Sequence, residues 1–254
     1  MPMRSKERRA RLLESLSAGE IDVDDFARHF SVSASTVRRD LQHLSATASV
    51  RRTYGGAILA KHPTETILAE RHAVNGAEKR AIAHAAIGLI EDGDTLILDA
   101  GSTVAAFGQL LSRRRLRIIT NNLALLPFLA EAPGLELVVL GGGVRATSMS
   151  TVGPLAVEAL RLMTADRAIM SAEGVVAGRG LCEASLDQIT LKSLMMRQSR
   201  EVIVLADASK LGRAEQSAWA LFPRNWTLVT DSTASAVQQQ LLTEAGARVL
   251  VAGN

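Results

Sequence analysis

Polar and glycine residues follow several short apolar segments in the chain beyond residue 95. The clearest group is Asp99-Ala100-Gly101-Ser102-Thr103, where a carboxylate and a glycine precede two hydroxyl side chains at the start of a predicted helix. The N-terminus of a helix offers unpaired backbone N–H groups and a positive dipole end, which favour a bound anion. We therefore expect Gly101, Ser102 and Thr103 to bind a phosphate group, and Asp99 to accept hydrogen bonds from ligand hydroxyls.

Four more apolar segments end in residues of the same kind. Each such end is an ordinary turn when taken alone, so the prediction depends on all of them lying together. Lys192 and Lys210 could supply the positive charge that a phosphate needs. The four ends are Thr120-Asn121-Asn122, Gly141-Gly142-Gly143, Ser171-Ala172-Glu173-Gly174 and Asp207-Ala208-Ser209-Lys210.

The elements that position these residues alternate between helices and continuous apolar strands. This alternation predicts an α/β domain with a mainly parallel sheet covered by helices on both faces. In such sheets ligands bind beyond the carboxyl ends of the strands. Helices are predicted at 81–90 and 104–111, and strands at 95–98, 116–119, 135–140, 167–170, 202–205, 227–229 and 248–251.

The first 60 residues carry a different pattern, with helices predicted at 5–18, 25–30 and from Ser33 to Leu44. In the third of these, Ala34, Val37, Leu41 and Leu44 form one buried stripe at helical spacing. The opposite side combines short hydroxyls with arginines, which is the composition of a helix that enters the DNA major groove. In isolation a solvated helix face explains it equally well. The residues concerned are Ser33, Ser35, Thr36, Arg38, Arg39, Gln42 and His43.

The segment after this helix favours the DNA-binding interpretation. Residues 45–57 lose the helical period and predict a β-hairpin, or wing, that ends at Gly55-Gly56 and carries Arg51, Arg52 and Tyr54. The first 60 residues also hold ten cations and seven carboxylates, whereas the remaining residues hold nineteen of each. The whole net charge of +3 therefore lies in the segment predicted to face phosphates.

The composition argues against a membrane protein, a disulfide-bonded protein and a metal-binding protein. No long apolar run predicts a membrane span, so we expect a cytoplasmic protein at the nucleoid with no membrane partner. The single cysteine excludes an internal disulfide, and the five histidines lack ligand spacing, so we expect no metal and no cofactor. We expect a DNA-binding domain over residues 1–58, a linker over 59–75 and an α/β domain over 76–254.

Two runs carry a family resemblance. Val32-Ser33-Ala34-Ser35-Thr36-Val37-Arg38-Arg39-Asp40-Leu41, followed by Arg52-Thr53-Tyr54-Gly55-Gly56-Ala57, resembles the signature of the DeoR family of bacterial sugar-catabolism regulators. Residues 78–252 resemble the sensor domain of that family, including Glu78-Lys79 at its start. The chain departs from the family pattern at the expected wing turn, Ala48 or Ser49, and at Tyr54, Glu173 and Gln188.

The resemblance implies a winged helix-turn-helix followed by a sensor domain related in fold to ribose-phosphate isomerase and the coenzyme A transferases. It implies a repressor of a carbohydrate-catabolism operon, released from a double-stranded DNA operator by a phosphorylated sugar or a related intermediate. The effector contacts that it implies are Asp99, Gly101, Ser102, Thr103, Thr120, Asn121, Gly141, Gly142, Glu173, Lys192 and Lys210.

Two alternatives stay open. A sugar-phosphate isomerase would use Asp99, Glu173, Glu183 and Lys192 for proton transfer, but Gln188 stands where the pattern would place a base. A regulator whose second domain only forms oligomers would leave the polar strand ends unexplained. Because a small DNA-binding module contacts few phosphates, we expect a homo-oligomer, a dimer or a tetramer, on repeated half-sites.

Overall fold

The computed structural model describes residues 5, 8–9, 11–12, 21–46, 50–52, 56–59 and 67–253. The chain divides into two compact units, Met1–Thr64 and Glu65–Asn254, here called the N-terminal and C-terminal units. Helices and a small sheet form the described part of the first unit, whereas a large parallel sheet organises the second.

The described part of the N-terminal unit contains two helices, a few helical residues before them and a three-stranded antiparallel sheet. Helix α1 spans Val23–His29, two residues earlier than predicted at its start, and helix α2 spans Ala34–Ala46. Of the helix predicted over 5–18, residues 5, 8–9 and 11–12 are described, and they are helical. The strands pair in the order β1-β3-β2 and are β1 (Ile21–Asp22), β2 (Val50–Arg52) and β3 (Gly56–Leu59).

Helix α2 begins and packs as the sequence predicts. The side chain of Ser33 accepts a hydrogen bond from the backbone N–H of Thr36 at 3.2 Å, which satisfies one of the free donors of the first turn. Val37 and Leu41 of the apolar stripe are 0% and 1% exposed, and they share a core with Phe26 of α1. The opposite side of α2 is therefore free to face solvent or DNA.

The predicted wing is present, but its turn lies elsewhere. Strands β2 and β3 pair antiparallel with Arg52 opposite Ala57, so the connection that joins them follows β2, whereas Ala48 and Ser49, expected at the wing turn, precede β2 and lie outside the described residues. The strand Gly56–Leu59, predicted as the end of the hairpin and the start of the linker, is the central strand of the sheet. Paired glycines usually end a strand, and here the second one begins a strand.

The C-terminal unit contains seven helices, two 3-10 turns and twelve strands within the described residues 67–253. Its helices are α3 (Leu68–Ala73), α4 (Gly76–Ile87), α5 (Ser102–Gln109), α6 (Leu126–Leu129), α7 (Pro154–Arg161), α8 (Leu186–Arg197) and α9 (Ala236–Glu244). Its strands are β4 (Thr95–Leu98), β5 (Leu116–Thr120), β6 (Leu135–Val139), β7 (Gly143–Arg145), β8 (Ser150–Val152), β9 (Ala165–Met170), β10 (Gly174–Val176), β11 (Gly180–Glu183), β12 (Ser199–Leu205), β13 (Ala218–Ala220), β14 (Trp226–Thr230) and β15 (Ala247–Val251).

Seven of these strands form one sheet in the order β15-β14-β12-β9-β4-β5-β6, and every neighbouring pair is parallel. The predicted α/β fold is confirmed. The chain runs outward from β4 through β5 to β6, then continues on the other side of β4 with β9. The winding direction therefore reverses between β4 and β9, and such a reversal opens a crevice beyond the carboxyl ends of the two strands.

The sheet separates two apolar cores. Ile97 of β4 belongs to one core, which α7 and α8 cover, while Leu96 and Leu98 belong to the other, which α4 and α5 cover. All three side chains are fully buried. Because both faces are packed, the residues that follow each strand are held on a rigid frame.

The sequence did not predict the short elements outside this sheet. Strands β7 and β8 form an antiparallel pair, and β10, β11 and β13 form a small antiparallel sheet. Most of these strands have three residues, too few for an apolar period to be visible. Helix α3 lies in the predicted linker and buries only Leu68, so it too has no periodic signal.

Candidate functional site

Helix α2 presents the polar face that the sequence predicts. The Oγ atom of Ser33 lies 2.8 Å from the hydroxyls of both Ser35 and Thr36, so the three form one cluster at the start of the helix. Arg39 makes no ion pair within the described part of the chain, and exposed arginines of this kind bind guanine edges or phosphates. The exposed side chains are Ser33, Ser35, Arg38, Arg39, Gln42 and His43, and Thr36 is half-buried.

Two arginines of the first helical segment have a structural partner. Asp40 of α2 is 3% exposed, and it accepts hydrogen bonds from Arg8 Nε at 2.5 Å and Arg9 Nε at 3.0 Å. These two cations therefore hold α2 against the first helical segment. The predicted wing contacts Arg51 and Arg52 lie on β2, and Tyr54 lies outside the described residues.

In the C-terminal unit, the reversal between β4 and β9 brings Asp99 against Ser171. The backbone N–H of Ser171 donates to Asp99 Oδ2 at 3.0 Å, and Ser171 Oγ donates to the carbonyl of Ala100 at 2.8 Å. Gly101 has a φ of 151°, and a Cβ atom there would lie 2.1 Å from Ser171 Oγ. The close approach of the two strand ends therefore requires glycine at this position.

Helix α5 begins at this junction with unused donors. Ser102 and Thr103 are 7% and 5% exposed, and neither hydroxyl has a hydrogen-bond partner among the described residues. The first backbone bond of the helix runs from the Ala105 N–H to the Gly101 carbonyl, which leaves the N–H groups of residues 102–104 without a partner in that part of the chain. Grouped donors of this kind at the start of a helix are suited to a bound anion.

The positive charge of Lys192 on α8 is paired with carboxyl groups inside the protein. Its ammonium donates to Asp99 Oδ2, lies 3.0 Å from Glu183 Oε1 and donates to the carbonyl of Ser171 at 2.7 Å. An ammonium has three N–H donors, so these contacts use all of them. Burial alone would lower the pKa of Lys192, but the charges of Asp99 and Glu183 outweigh it and raise that pKa.

Glu183, in contrast, has a raised pKa of about 7, because burial disfavours its charge and Asp99 adds repulsion, while the attraction of Lys192 offsets only part. One lysine thus balances two buried carboxyl groups.

Glu173 follows β9 and joins two cations. Its carboxylate accepts from Arg71 Nη1 at 3.0 Å and from Lys210 Nζ at 3.3 Å, and the residue is 8% exposed. Burial would raise the pKa of Glu173, but Lys210 and Arg71 outweigh burial and hold that pKa below its usual value. Glu173 is therefore ionised at neutral pH.

The ends of β5 and β6 play different parts. Thr120 Oγ1 donates to the carbonyl of Leu98 at 2.7 Å and so ties β5 to β4. Asn121 Nδ2 donates to the carbonyl of Thr151 at 3.0 Å, while its Oδ1 is buried with no partner in the described residues. A Cβ atom on Gly142, whose φ is 129°, would lie 2.5 Å from the Val152 carbonyl, whereas Gly141 borders open space.

Most of the chain is similar to known proteins. Residues 74–232 match the DeoR C terminal sensor domain, and residues 8–62 match the DeoR-like helix-turn-helix domain. The chain belongs to the DeoR family. The transcriptional repressor AccR of Agrobacterium fabrum is 34% identical over 90% of each chain, and the glycerol-3-phosphate regulon repressor of Escherichia coli K12 is 31% identical over 77% of this chain and 78% of its own.

Membership of the DeoR family decides between the classes of function. The chain is a DNA-binding transcriptional repressor with a sensor domain, and the isomerase alternative finds no support. Ribose 5-phosphate isomerase A of Methanocaldococcus jannaschii is 21% identical over 54% of each chain, with a TM-score of 0.40, and this likeness is too distant to bear on function.

The described residues contain neither a membrane-spanning helix nor a cluster of metal ligands. None of their helices has the length and apolar character needed to cross a membrane. In the same residues no group of three or more histidine, cysteine, aspartate or glutamate side chains is arranged to hold a metal ion.

The structure of this DeoR-family sensor domain also shows polar residues that sequence reasoning missed. Arg71 of α3 contacts Glu173, and Asn75, which follows α3, donates to Asp207 Oδ1 at 2.9 Å. Lys79 is buried, and its ammonium donates to the Arg71 carbonyl and, at 2.7 Å, to the Val74 carbonyl. The Glu78-Lys79 match was the only signal in the sequence for this group.

Proposed function

We propose that this repressor binds a phosphorylated sugar or a related intermediate at the crevice between β4 and β9, and that the ligand releases it from its DNA operator. The observation that carries the proposal is the N-terminus of α5, where the hydroxyls of Ser102 and Thr103 and the first backbone N–H groups lack partners among the described residues. A phosphate group would satisfy Ser102, Thr103 and the adjacent N–H groups together. Lys210, which is only half-buried, would add positive charge beside it.

Two buried amide oxygens support a ligand that also carries hydroxyl groups. Asn121 Oδ1 and Gln188 Oε1 are buried acceptors with no donor among the described residues. Gln188 lies one helical turn before Lys192 on α8, so both side chains share a face of that helix. Sugar or polyol hydroxyls are donors that would satisfy both acceptors.

The remaining predicted ligands divide by role. We assign direct contact with the effector to the residues that have a hydrogen-bond donor or acceptor available for a ligand. These are Gly101, Ser102, Thr103, Asn121 and Lys210. Asp99, Thr120, Gly142 and Lys192 would instead hold the strand ends in place. Gly141 borders the open side of the same edge, whereas the carboxylate of Glu173 is paired with Arg71 and Lys210.

DNA binding would use the exposed face of α2 and the arginines of β2. We place the boundary of the DNA-binding domain after Leu59, one residue beyond the predicted 58, because β3 ends there. A single module of this size makes few phosphate contacts, so we propose a dimer or tetramer that binds repeated half-sites. Its partner is genomic DNA, which places its action in the cytoplasm, at the nucleoid.

Thermal unfolding of the full chain tests the effector site. The probes are inorganic phosphate, glycerol 3-phosphate and ribose 5-phosphate, with glycerol and ribose as unphosphorylated controls. A ligand at 100 times its Kd stabilises the folded state by about 2.7 kcal/mol, so at least one phosphorylated probe should raise the midpoint clearly. The combined variant Ser102→Ala, Lys210→Ala should lose this shift, whereas Arg113→Ala, which removes an exposed cation elsewhere, should keep it.

Release from DNA needs a second measurement. An operator selected from a random-sequence DNA library should bind the ligand-free chain, and the stabilising probe should weaken that binding. The proposal is wrong if no phosphorylated probe stabilises the protein, or if the combined variant responds as the wild type does.

A further inference from the structure

Helix α3 is held to the C-terminal unit by few contacts. Among the described residues it is the first helix of the C-terminal unit, and Leu68 is its only buried side chain. Most of its other residues are exposed. A helix of six residues with one buried side chain is not stable by itself, so its position depends on the polar contacts that it makes.

Besides the ammonium of Lys79, these polar contacts reach two places in the C-terminal unit. The carbonyl of Thr147 accepts from the Leu68 N–H at 2.9 Å and from Arg71 Nη2 at 3.3 Å. Lys79 donates to two carbonyls at the end of α3, which also suits the negative end of the helix dipole. The other anchor is the ion pair between Arg71 and Glu173 at 3.0 Å.

The second anchor lies within the proposed effector site. Glu173 shares its carboxylate between Arg71 of α3 and Lys210, and Lys210 is a proposed ligand of the phosphate. An effector phosphate at Lys210 would place a second anion beside Glu173. A phosphate would compete with the Glu173 carboxylate for the ammonium of Lys210 and would repel that carboxylate, so effector binding should weaken the contacts of Glu173.

We infer that Glu173 links effector binding to α3: an anionic effector displaces its carboxylate from Lys210, the contact with Arg71 breaks, and α3 loosens from the C-terminal unit. The inference rests on the proposed function, since it takes the effector to be an anion at this site. Glu173 is then a competitor of the ligand rather than one of its contacts. Because α3 follows the connection to the DNA-binding unit along the chain, we expect its loosening to weaken operator binding.

Hydrogen exchange of the full chain tests this link without any ligand. Arg71→Gln removes the anchor, and it should speed exchange of the amides of residues 67–75 severalfold while leaving β9 and β12 unchanged. Arg80→Gln on α4 is the matched control, because Arg80 is exposed and has no ion pair in the described residues. The same Arg71 variant should bind the selected operator about 5- to 50-fold more weakly, in the range of ordinary allosteric couplings.

Glu173→Gln separates the two roles of this residue. It keeps the shape of the side chain and removes the charge that competes with the ligand. It should therefore loosen α3 and, at the same time, tighten binding of the stabilising phosphorylated probe. If Glu173 instead contacts the effector directly, the variant binds the probe more weakly, and the inference is wrong.

The outcomes distinguish the link from the proposed function. A probe that stabilises the wild type but leaves exchange of residues 67–75 unchanged overturns the link and supports the effector site. Unchanged exchange and operator binding in Arg71→Gln also overturn the link. Failure of every phosphorylated probe to bind overturns both the proposed effector site and the displacement of Glu173.

Discussion

The ammonium of Lys192 lies 3.0 Å from the carboxyl group of Glu183, with both side chains buried, while the same ammonium also donates to Asp99. A single positive charge therefore serves two carboxyl groups. Burial raises the pKa of Glu183 to about 7, and the nearby charge of Asp99 adds to the shift. Glu183 carries a proton through part of the physiological pH range, which has a measurable consequence for stability.

Glu183→Gln should remove a pH dependence of stability between pH 5 and pH 8. The pKa of Glu183 is higher in the folded state than in the unfolded state, so its contribution is complete below about pH 4.3 and is lost as pH rises through 7. The wild type should lose on the order of 2 kcal/mol relative to the variant over this range. Chemical denaturation at several pH values measures the difference.

The comparison has a control for other groups. Burial lowers the pKa of His72, which gives the opposite slope below pH 6.5, so only the difference between wild type and variant isolates Glu183. Glu158→Gln, which changes an exposed glutamate on α7, is the matched control for the loss of one carboxylate. A wild-type profile parallel to that of Glu183→Gln would mean that Glu183 is ionised throughout.

Continuous apolar runs are the reason that all seven strands of the large sheet could be predicted. A strand buried on both faces has an unbroken apolar sequence, and its end is marked by the first polar or glycine residue, as Asp99 follows β4. The sequence could not predict the contact of Arg71 with Glu173, because the two residues are 102 positions apart and α3 has no apolar period.

The role of Lys192 could not be predicted from the sequence either. Its residue type suggests a ligand for phosphate, and only the positions of Asp99, Glu183 and the Ser171 carbonyl show that its donors are used. The same applies to Asp40, whose place in α2 gives no sign of its two arginine partners.

Gly101→Ala should destabilise the protein and abolish the response to the effector. The backbone at φ 151° is strained for any residue with a Cβ atom, and that atom would lie 2.1 Å from Ser171 Oγ. Strain of this kind costs about 1–3 kcal/mol, and relieving the clash must move the start of α5. Denaturant unfolding measures the loss of stability, and the thermal shift with the phosphorylated probe measures the loss of the site.

Gly88→Ala is the matched control, since Gly88 has a helical φ of −68° and the nearest atom to its added Cβ lies at 3.7 Å. It should be neutral or slightly stabilising. Equal stability of the two alanine variants would contradict the close approach of β4 and β9.

Asp40→Asn should destabilise the N-terminal unit and leave its surface nearly unchanged. Asp40 is buried, and its carboxylate accepts from both Arg8 and Arg9, so neutralising it weakens two charge-assisted hydrogen bonds at once. We expect a loss of about 1–3 kcal/mol, seen as faster proteolysis of the N-terminal unit. Asp25→Asn breaks an ion pair with Arg28 in which both side chains are at least 70% exposed, and it should cost about 0–1 kcal/mol.

Arg39→Ala should weaken binding to the selected operator without unfolding the protein. Arg39 is exposed on α2 and makes no ion pair in the described part of the chain. Its removal should therefore change the stability of the fold little and lower the affinity for DNA. A base-reading arginine contributes about 1–3 kcal/mol, a loss of roughly 5- to 150-fold in affinity, together with relaxed specificity at one base pair.

Measurement at matched salt and comparison with Arg113→Ala, which removes the same charge from the C-terminal unit, separate this role from net charge. If Arg39 contacts only phosphate, affinity falls equally for all sequences and specificity is kept. Unchanged affinity would exclude the exposed face of α2 as the surface that reads DNA.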